Sequence, residues 1–380
     1  MKNYIIFFIV VISFSSCKTL KEANFGEEYI SYYKGNYRVE IPEMYELVNV
    51  MVALTDCGQL DSNMINMTTD YYTDVMNYFS DYKKDKQIKR MNSKIKKPLK
   101  TFTYINYIFY RMNALGYSID ENDKVHFNNQ IPQTCLLFWR DPIKKNKKYI
   151  NNFIEHSKFR EFYSSQRYFY DSLIISYEYF IPIDKMTYWL TRKFPDITYD
   201  SYKIIISPLV NGTNYTKRFS SNGLTQIIMS VSPIVINNKY DTAINVMNNS
   251  RIVFTEIDHN FVNIVSDSII NKINNSFSNL NYWRKKSDIT RLYNSPYLIF
   301  NEYMTWALFS LYCIDSYQSK DYDIAINMME KSMIEGRDFI MFKEFNQELI
   351  HIYKENPDIS MLELYRRILE WSYSKQESMI

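Results

Sequence analysis

Thr255-Glu256-Ile257-Asp258-His259-Asn260-Phe261-Val262-Asn263 is the stretch whose reading decides the fold. On a helix from Arg251 to Asn263, Glu256, His259 and Asn263 fall at i, i+3 and i+7, a single polar stripe, with Asp258 off it. Ile252, Val253, Phe254, Ile257, Phe261 and Val262 fill much of the remaining surface. A helix this apolar is expected to be buried, and a buried Glu-His-Asn stripe needs partners. The plain structural alternative is that Glu256 and His259 hydrogen-bond to each other and to core groups.

The spacing is that of the His-Glu-x-x-His helix with its first histidine replaced by Thr255. In the intact pattern two His at i and i+4 hold Zn²⁺ and the Glu serves as general base on the metal-bound water. Threonine is not a usual zinc ligand. In zinc peptidases of the gluzincin type the third ligand is a Glu on a later helix. Phe300-Asn301-Glu302-Tyr303-Met304-Thr305-Trp306-Ala307-Leu308 reads as such a helix, with Glu302 lying 43 residues beyond His259 (302 − 259).

The order of segments resembles the domain of unknown function 4932 family of bacterial lipoproteins and exported proteins, whose members are metallopeptidase-like. The resemblance covers most of the mature chain. It runs from Val39-Glu40-Ile41-Pro42-Glu43-Met44-Tyr45-Glu46-Leu47 and Thr69-Asp70-Tyr71-Tyr72, through Ile206-Ser207-Pro208-Leu209-Val210, to Phe261-Val262-Asn263 and the Glu302 helix. It implies a zincin-like fold with Glu256 as general base, His259 as a metal ligand and Glu302 as the downstream ligand. Thr255 departs from the pattern and leaves a three-ligand zinc site incomplete. Glu256 could itself coordinate, giving a one-His, two-carboxylate set suited to Mn²⁺, Fe²⁺ or Zn²⁺. Alternatively His126, His156 or His351 could fold in. The third alternative is a metal-free pseudoenzyme whose cleft binds a peptide or protein.

The N-terminus reads as a lipoprotein signal peptide, residues 1–16. Lys2 is followed by an apolar run, Tyr4 to Ile12, too short to span a bilayer stably. Phe14-Ser15-Ser16-Cys17 resembles a lipobox, which implies cleavage before Cys17 and its lipidation, with residues 17–35 as lipidated cysteine and tether. The expected partner is therefore the lipid bilayer through Cys17. Lys18 does not match the Asp retention signal of some Gram-negative lipoproteins, so the outer membrane or cell surface is expected over the inner membrane. Cys57, Cys135 and Cys313 imply neither a disulfide framework nor a Cys-rich zinc site.

The chain has 380 residues and a net charge of +3, and its 46% hydrophobic content suffices for a sizeable core. The abundance of Tyr and Lys reads as compositional bias. Lys83, Lys84, Lys86, Lys89, Arg90, Lys94, Lys96, Lys97 and Lys100, with Lys144-Lys145-Asn146-Lys147-Lys148, therefore read as a solvated face. Export argues against nucleic acid; contact with anionic lipid or polysaccharide stays open. Seven glycines agree with the lack of a P-loop, a dinucleotide fingerprint or a Gly-x-Ser-x-Gly elbow.

Tyr37–Ile41, Tyr202–Pro208 and Gln226–Val231 read as strands, with Gly212 and Asn214 marking a loop. Helical periods cover Met44–Leu54, Asp70–Tyr82, Phe153–Phe180, Met186–Phe194 and most of the chain from Asp241. The expected architecture is α+β, with a small mixed sheet in the middle, a helical N-terminal part and a helical C-terminal subdomain. Residues 36–240 form the expected sheet-bearing part. Residues 241–380 form the mostly helical part carrying the motif helix and Glu302.

Overall fold

The computed structural model describes the backbone of residues 8–9, 22–95, 100–132 and 141–378, and the side chains of 22–95, 106–132 and 141–378. Cys17, Lys18, Lys96, Lys97 and Cys135 lie outside the described residues, as do most of the expected signal segment and the Lys100 side chain. The fold is mixed α+β, mostly helical with a small mixed sheet. Two compact units divide the chain: Phe8–Tyr177 with Tyr199–Pro233, and Glu178–Thr198 with Ile234–Ile380. The expected boundary at residues 240 and 241 is thus corrected. The break lies at Pro233 and Ile234, and Glu178–Thr198 joins the helical unit.

The first unit holds the sheet. Its strand order is Phe8–Ile9, Thr213–Ser221, Leu224–Val231, Ser201–Ile206 and Tyr37–Glu40. Ser201–Ile206 is buried along its whole length and runs parallel to both neighbours. A strand flanked on both sides in a parallel arrangement is covered on both faces, which explains the unbroken Ile204-Ile205-Ile206 run. Thr213–Ser221 pairs antiparallel with Leu224–Val231. The turn between them places Asn222 at φ 48° and Gly223 at φ 76°, the left-handed pair that a two-residue hairpin requires. Asn214, expected in a loop, therefore lies in a strand, and Asn222-Gly223 was the available signal for it.

The expected tether is also shorter than residues 17–35. Glu27–Tyr33 is a helix with Tyr29 and Tyr33 buried. Phe25 is fully buried and stacks on Tyr29 at 4.7 Å. The Tyr29 hydroxyl donates to Gln226 Oε1 at 2.6 Å, and Lys203 Nζ donates to the Tyr33 hydroxyl at 2.6 Å. These aromatic side chains give a seven-residue helix the tertiary contacts that propensity alone cannot supply at that length.

The second unit is helical. Thr242–Ser268 starts at Asp241, whose carboxylate accepts from the Ile244 amide at 3.0 Å. Pro296–Ser316 starts at Ser295 with proline in its first turn. It is buried without a break from Ile299 to Cys313. Ile183–Lys193 lies against Thr242–Ser268, with Trp189 on Phe254 (5.8 Å between ring centroids) and Phe194 on Phe261 (5.5 Å). Those contacts are why a segment far back in sequence belongs to this unit. Ser319–Lys331, Phe342–Glu355 and Met361–Glu377 complete it, with a π turn over Ser332–Gly336. No helix among the described residues is long and apolar enough to cross a membrane.

Candidate functional site

The motif segment is helical and buried, as its apolar surface requires. Thr255, Glu256, Asp258 and His259 are each at most 1% exposed. Thr255 turns its hydroxyl to its own helix, donating to the Ile252 carbonyl at 3.0 Å. It acts as a small core residue. Asn263 accepts from Asn301 Nδ2 at 3.0 Å and so ties the motif helix to the Glu302 helix.

Glu302 lies opposite in charge to a residue that sequence reasoning missed. Arg337, 3% exposed, follows the π turn and places Nη2 2.6 Å from Glu302 Oε1 and 2.8 Å from the Tyr293 hydroxyl. Trp306 Nε1 donates to the same Glu302 oxygen at 2.9 Å, one helical turn on. The Trp306 ring also carries two guanidinium groups, Arg337 at 4.8 Å and Arg251 at 5.1 Å from its centroid. Both are within the range of a cation–π contact. Arg337 carries no periodic or motif signal; only its fixed charge, in a segment otherwise read as a helix end, could have drawn notice.

The electrostatics follow from burial. Burial pushes the Glu256 carboxyl well above the carboxylate range; the Glu302 charge adds to this and Arg337 opposes it. Burial likewise raises Asp258, with Glu256 and then Glu302 adding. His259 is pushed down to about 3 by burial and then by Arg337. Burial also lifts Glu302, against the pull of Arg337, Trp306 and Tyr293. Against the lowering effect of burial, Glu302 and Tyr293 hold Arg337 above its ordinary value. Burial thus favours the protonated form of Glu256 and of Asp258, while His259, pushed down to about 3, is a neutral imidazole near neutral pH.

Both carboxyl oxygens of Glu256, both of Asp258, both ring nitrogens of His259 and Oε2 of Glu302 are buried without a hydrogen-bond partner. Each such group costs about 1–3 kcal/mol, so their concentration on these two helices marks a candidate site. Among the described residues, no three His, Cys, Asp or Glu side chains are grouped to hold a metal ion. The other histidines lie elsewhere. His126 pairs with Asp120 in the sheet-bearing unit, His156 bonds the Asn152 carbonyl, and exposed His351 pairs with Glu355 at 3.4 Å. Cys313 is fully buried and its thiol is pushed up by burial. Comparison with protein-family models, with curated proteins and with solved structures returned no match.

Proposed function

We propose that this chain is an exported, lipid-anchored envelope protein with a zincin-like helical core that serves in binding or scaffolding and not in hydrolysis. The lipobox-like Phe14-Ser15-Ser16-Cys17 supports the lipoprotein character, and Lys18 supports an outer-membrane or cell-surface address. One observation carries the non-hydrolytic reading: Arg337 lies 2.6 Å from the carboxylate oxygen of Glu302, the residue the resemblance makes a metal ligand. A guanidinium there supplies the positive charge a divalent ion would bring, and it repels a second cation. Thr255, bonded to its own backbone, supplies no ligand in exchange. Burial favours the neutral form of Glu256, which works against a general-base role. The residues present therefore do not fit a three-ligand metal centre.

A second reading rests on the unpartnered Glu256 oxygens and His259 nitrogens. A neutral imidazole and a carboxylate are donors a transition metal accepts. Metal analysis of the mature chain separates the two. The scaffold reading expects no stoichiometric transition metal, and an Arg337→Gln variant less stable by about 3–5 kcal/mol through loss of a buried ion pair. One bound metal per chain that disappears in His259→Ala, or peptide hydrolysis that disappears in Glu256→Gln, would overturn it.

A further inference from the structure

The two lysine clusters, 50 positions apart at their nearest described members (Lys94 to Lys144), meet in the fold. The helix Lys86–Ile95 carries Lys86, Lys89, Arg90 and Lys94 and no acid. The helix Pro142–Ser157 carries Lys144, Lys145, Lys147 and Lys148 with Glu155 as its one acid. Arg90 Nε reaches Asn146 Oδ1 at 3.4 Å, and its guanidinium lies 4.3 Å from the Tyr149 ring centroid. Lys86 approaches the same ring at 5.7 Å. Lys83 and Lys84 join this side, because Tyr82 beside them donates to the His156 carbonyl at 2.9 Å.

Seven of these lysines, Lys84, Lys86, Lys89, Lys94, Lys144, Lys145 and Lys148, are exposed. Among the described residues none of them has an ion pair to an acid, whereas Lys124 and Lys158 nearby in sequence are paired with Glu155 and Glu161. Solvated lysines in a chain of nearly balanced charge are normally interspersed with acids. Here the two helices carry eight basic side chains against Glu155 alone, with Asp81 and Asp85 the acids beside Lys83 and Lys84.

The route of the N-terminal chain leads to the same side. The Asn24 amide donates to the Gln130 carbonyl at 3.0 Å, and Asn222 Nδ2 donates to the Phe25 carbonyl at 2.7 Å. Gln130 follows the strand Val125–Phe127, whose Val125 amide donates to Asn151 Oδ1 at 3.0 Å on the lysine-bearing helix. Cys17 precedes Asn24 by seven residues, at most about 25 Å of extended chain. A tether of that length keeps the folded unit close enough to the leaflet for the basic face to meet headgroup charge by reorientation.

We propose that the basic face formed by Lys86–Ile95 and Pro142–Ser157 docks on the anionic headgroups of the leaflet that holds the chain's own lipid anchor. The occupant follows from charge and from the length of the tether. Anchoring rests on the lipoprotein reading above; the charge of the face does not. Docking fixes how the protein stands on its membrane, which a tether alone leaves free.

The experiment uses the mature chain from Cys17, prepared without acyl groups, and sedimentation with phosphatidylcholine vesicles containing or lacking phosphatidylglycerol. Binding only to the anionic vesicles, weakening as salt rises, is expected. Each lysine near such a surface is worth about a fivefold change in partitioning. A Lys86→Gln, Lys89→Gln, Lys145→Gln, Lys148→Gln variant should therefore lose at least ~100-fold. A matched variant at exposed Lys185, Lys272, Lys286 and Lys320 should keep most of its binding. Equal loss in the matched variant, equal binding to neutral vesicles, or preference for duplex DNA or a sulfated polysaccharide over the anionic vesicles would each overturn the proposal. Acylation of Cys17 is read separately, from the mass of the N-terminal peptide taken from membranes, so failure of the anchor and failure of the face are distinguishable.

Discussion

Glu46 shows how a single buried acid can govern the pH response of the sheet-bearing unit. It is fully buried, and its Oε1 accepts from the Tyr71 hydroxyl at 2.8 Å. Burial pushes it up to about 7, with Ser207, Tyr71 and Arg111 opposing. The folded chain therefore holds this proton more tightly than the unfolded chain, whose carboxyl has the ordinary value of 4.5. The stabilising contribution is full below about 4.5 and is lost as pH rises through about 7, a change of about 3 kcal/mol. Thermal unfolding across that window should show Glu46→Gln nearly flat where the parent declines; parallel curves would refute the assignment. At this scale the sequence was half legible. Glu256, His259 and Glu302 stand in spacings a helix turns into geometry. Arg337 does not, because the charge that decides their chemistry arrives from a turn 35 positions beyond Glu302 (337 − 302).

Elements were legible where burial was uniform and obscure where it was not. Ser201–Ile206 announces itself by three consecutive isoleucines, and Thr242–Ser268 by its apolar period. Thr213–Ser221 mixes buried and half-exposed polar residues, so its alternation is weak; only the Asn222-Gly223 turn betrays it. The short helix Asp56–Leu60 depends on a close backbone approach that only glycine permits. A Cβ at Gly58 would lie 2.1 Å from the Val52 carbonyl oxygen, a group that cannot rotate away. Gly58→Ala should cost about 1–3 kcal/mol or more through this clash, seen as a lower denaturant midpoint with unchanged slope. A midpoint equal to the parent's would mean the helix shifts freely. The Asp56-Cys57-Gly58 run, in which a nucleophilic cysteine could be sought, is thus explained by packing.

For the whole molecule, the α+β class and the helical C-terminal character follow from the sequence, but the partition does not, because contiguity was the only available guide. The helical unit draws on Glu178–Thr198, separated from the rest by a stretch that belongs to the sheet-bearing unit. A fragment of residues 241–380 lacks Trp189 and Phe194 and so uncovers Phe254 and Phe261. It should bind a hydrophobic dye and give poorly dispersed amide spectra, and addition of a peptide spanning 178–198 should reverse both. A well-dispersed spectrum from the fragment alone would show that the helix is dispensable. The interleaving also sets an order of events as the chain emerges into the compartment where it folds. The sheet-bearing unit has its full complement of residues once Pro233 has emerged, while Ile183–Lys193, with its buried face of Ile183, Met186, Trp189 and Leu190, has as yet no partner helix. Until the remaining residues have emerged, the apolar face of this helix is open to a holding chaperone.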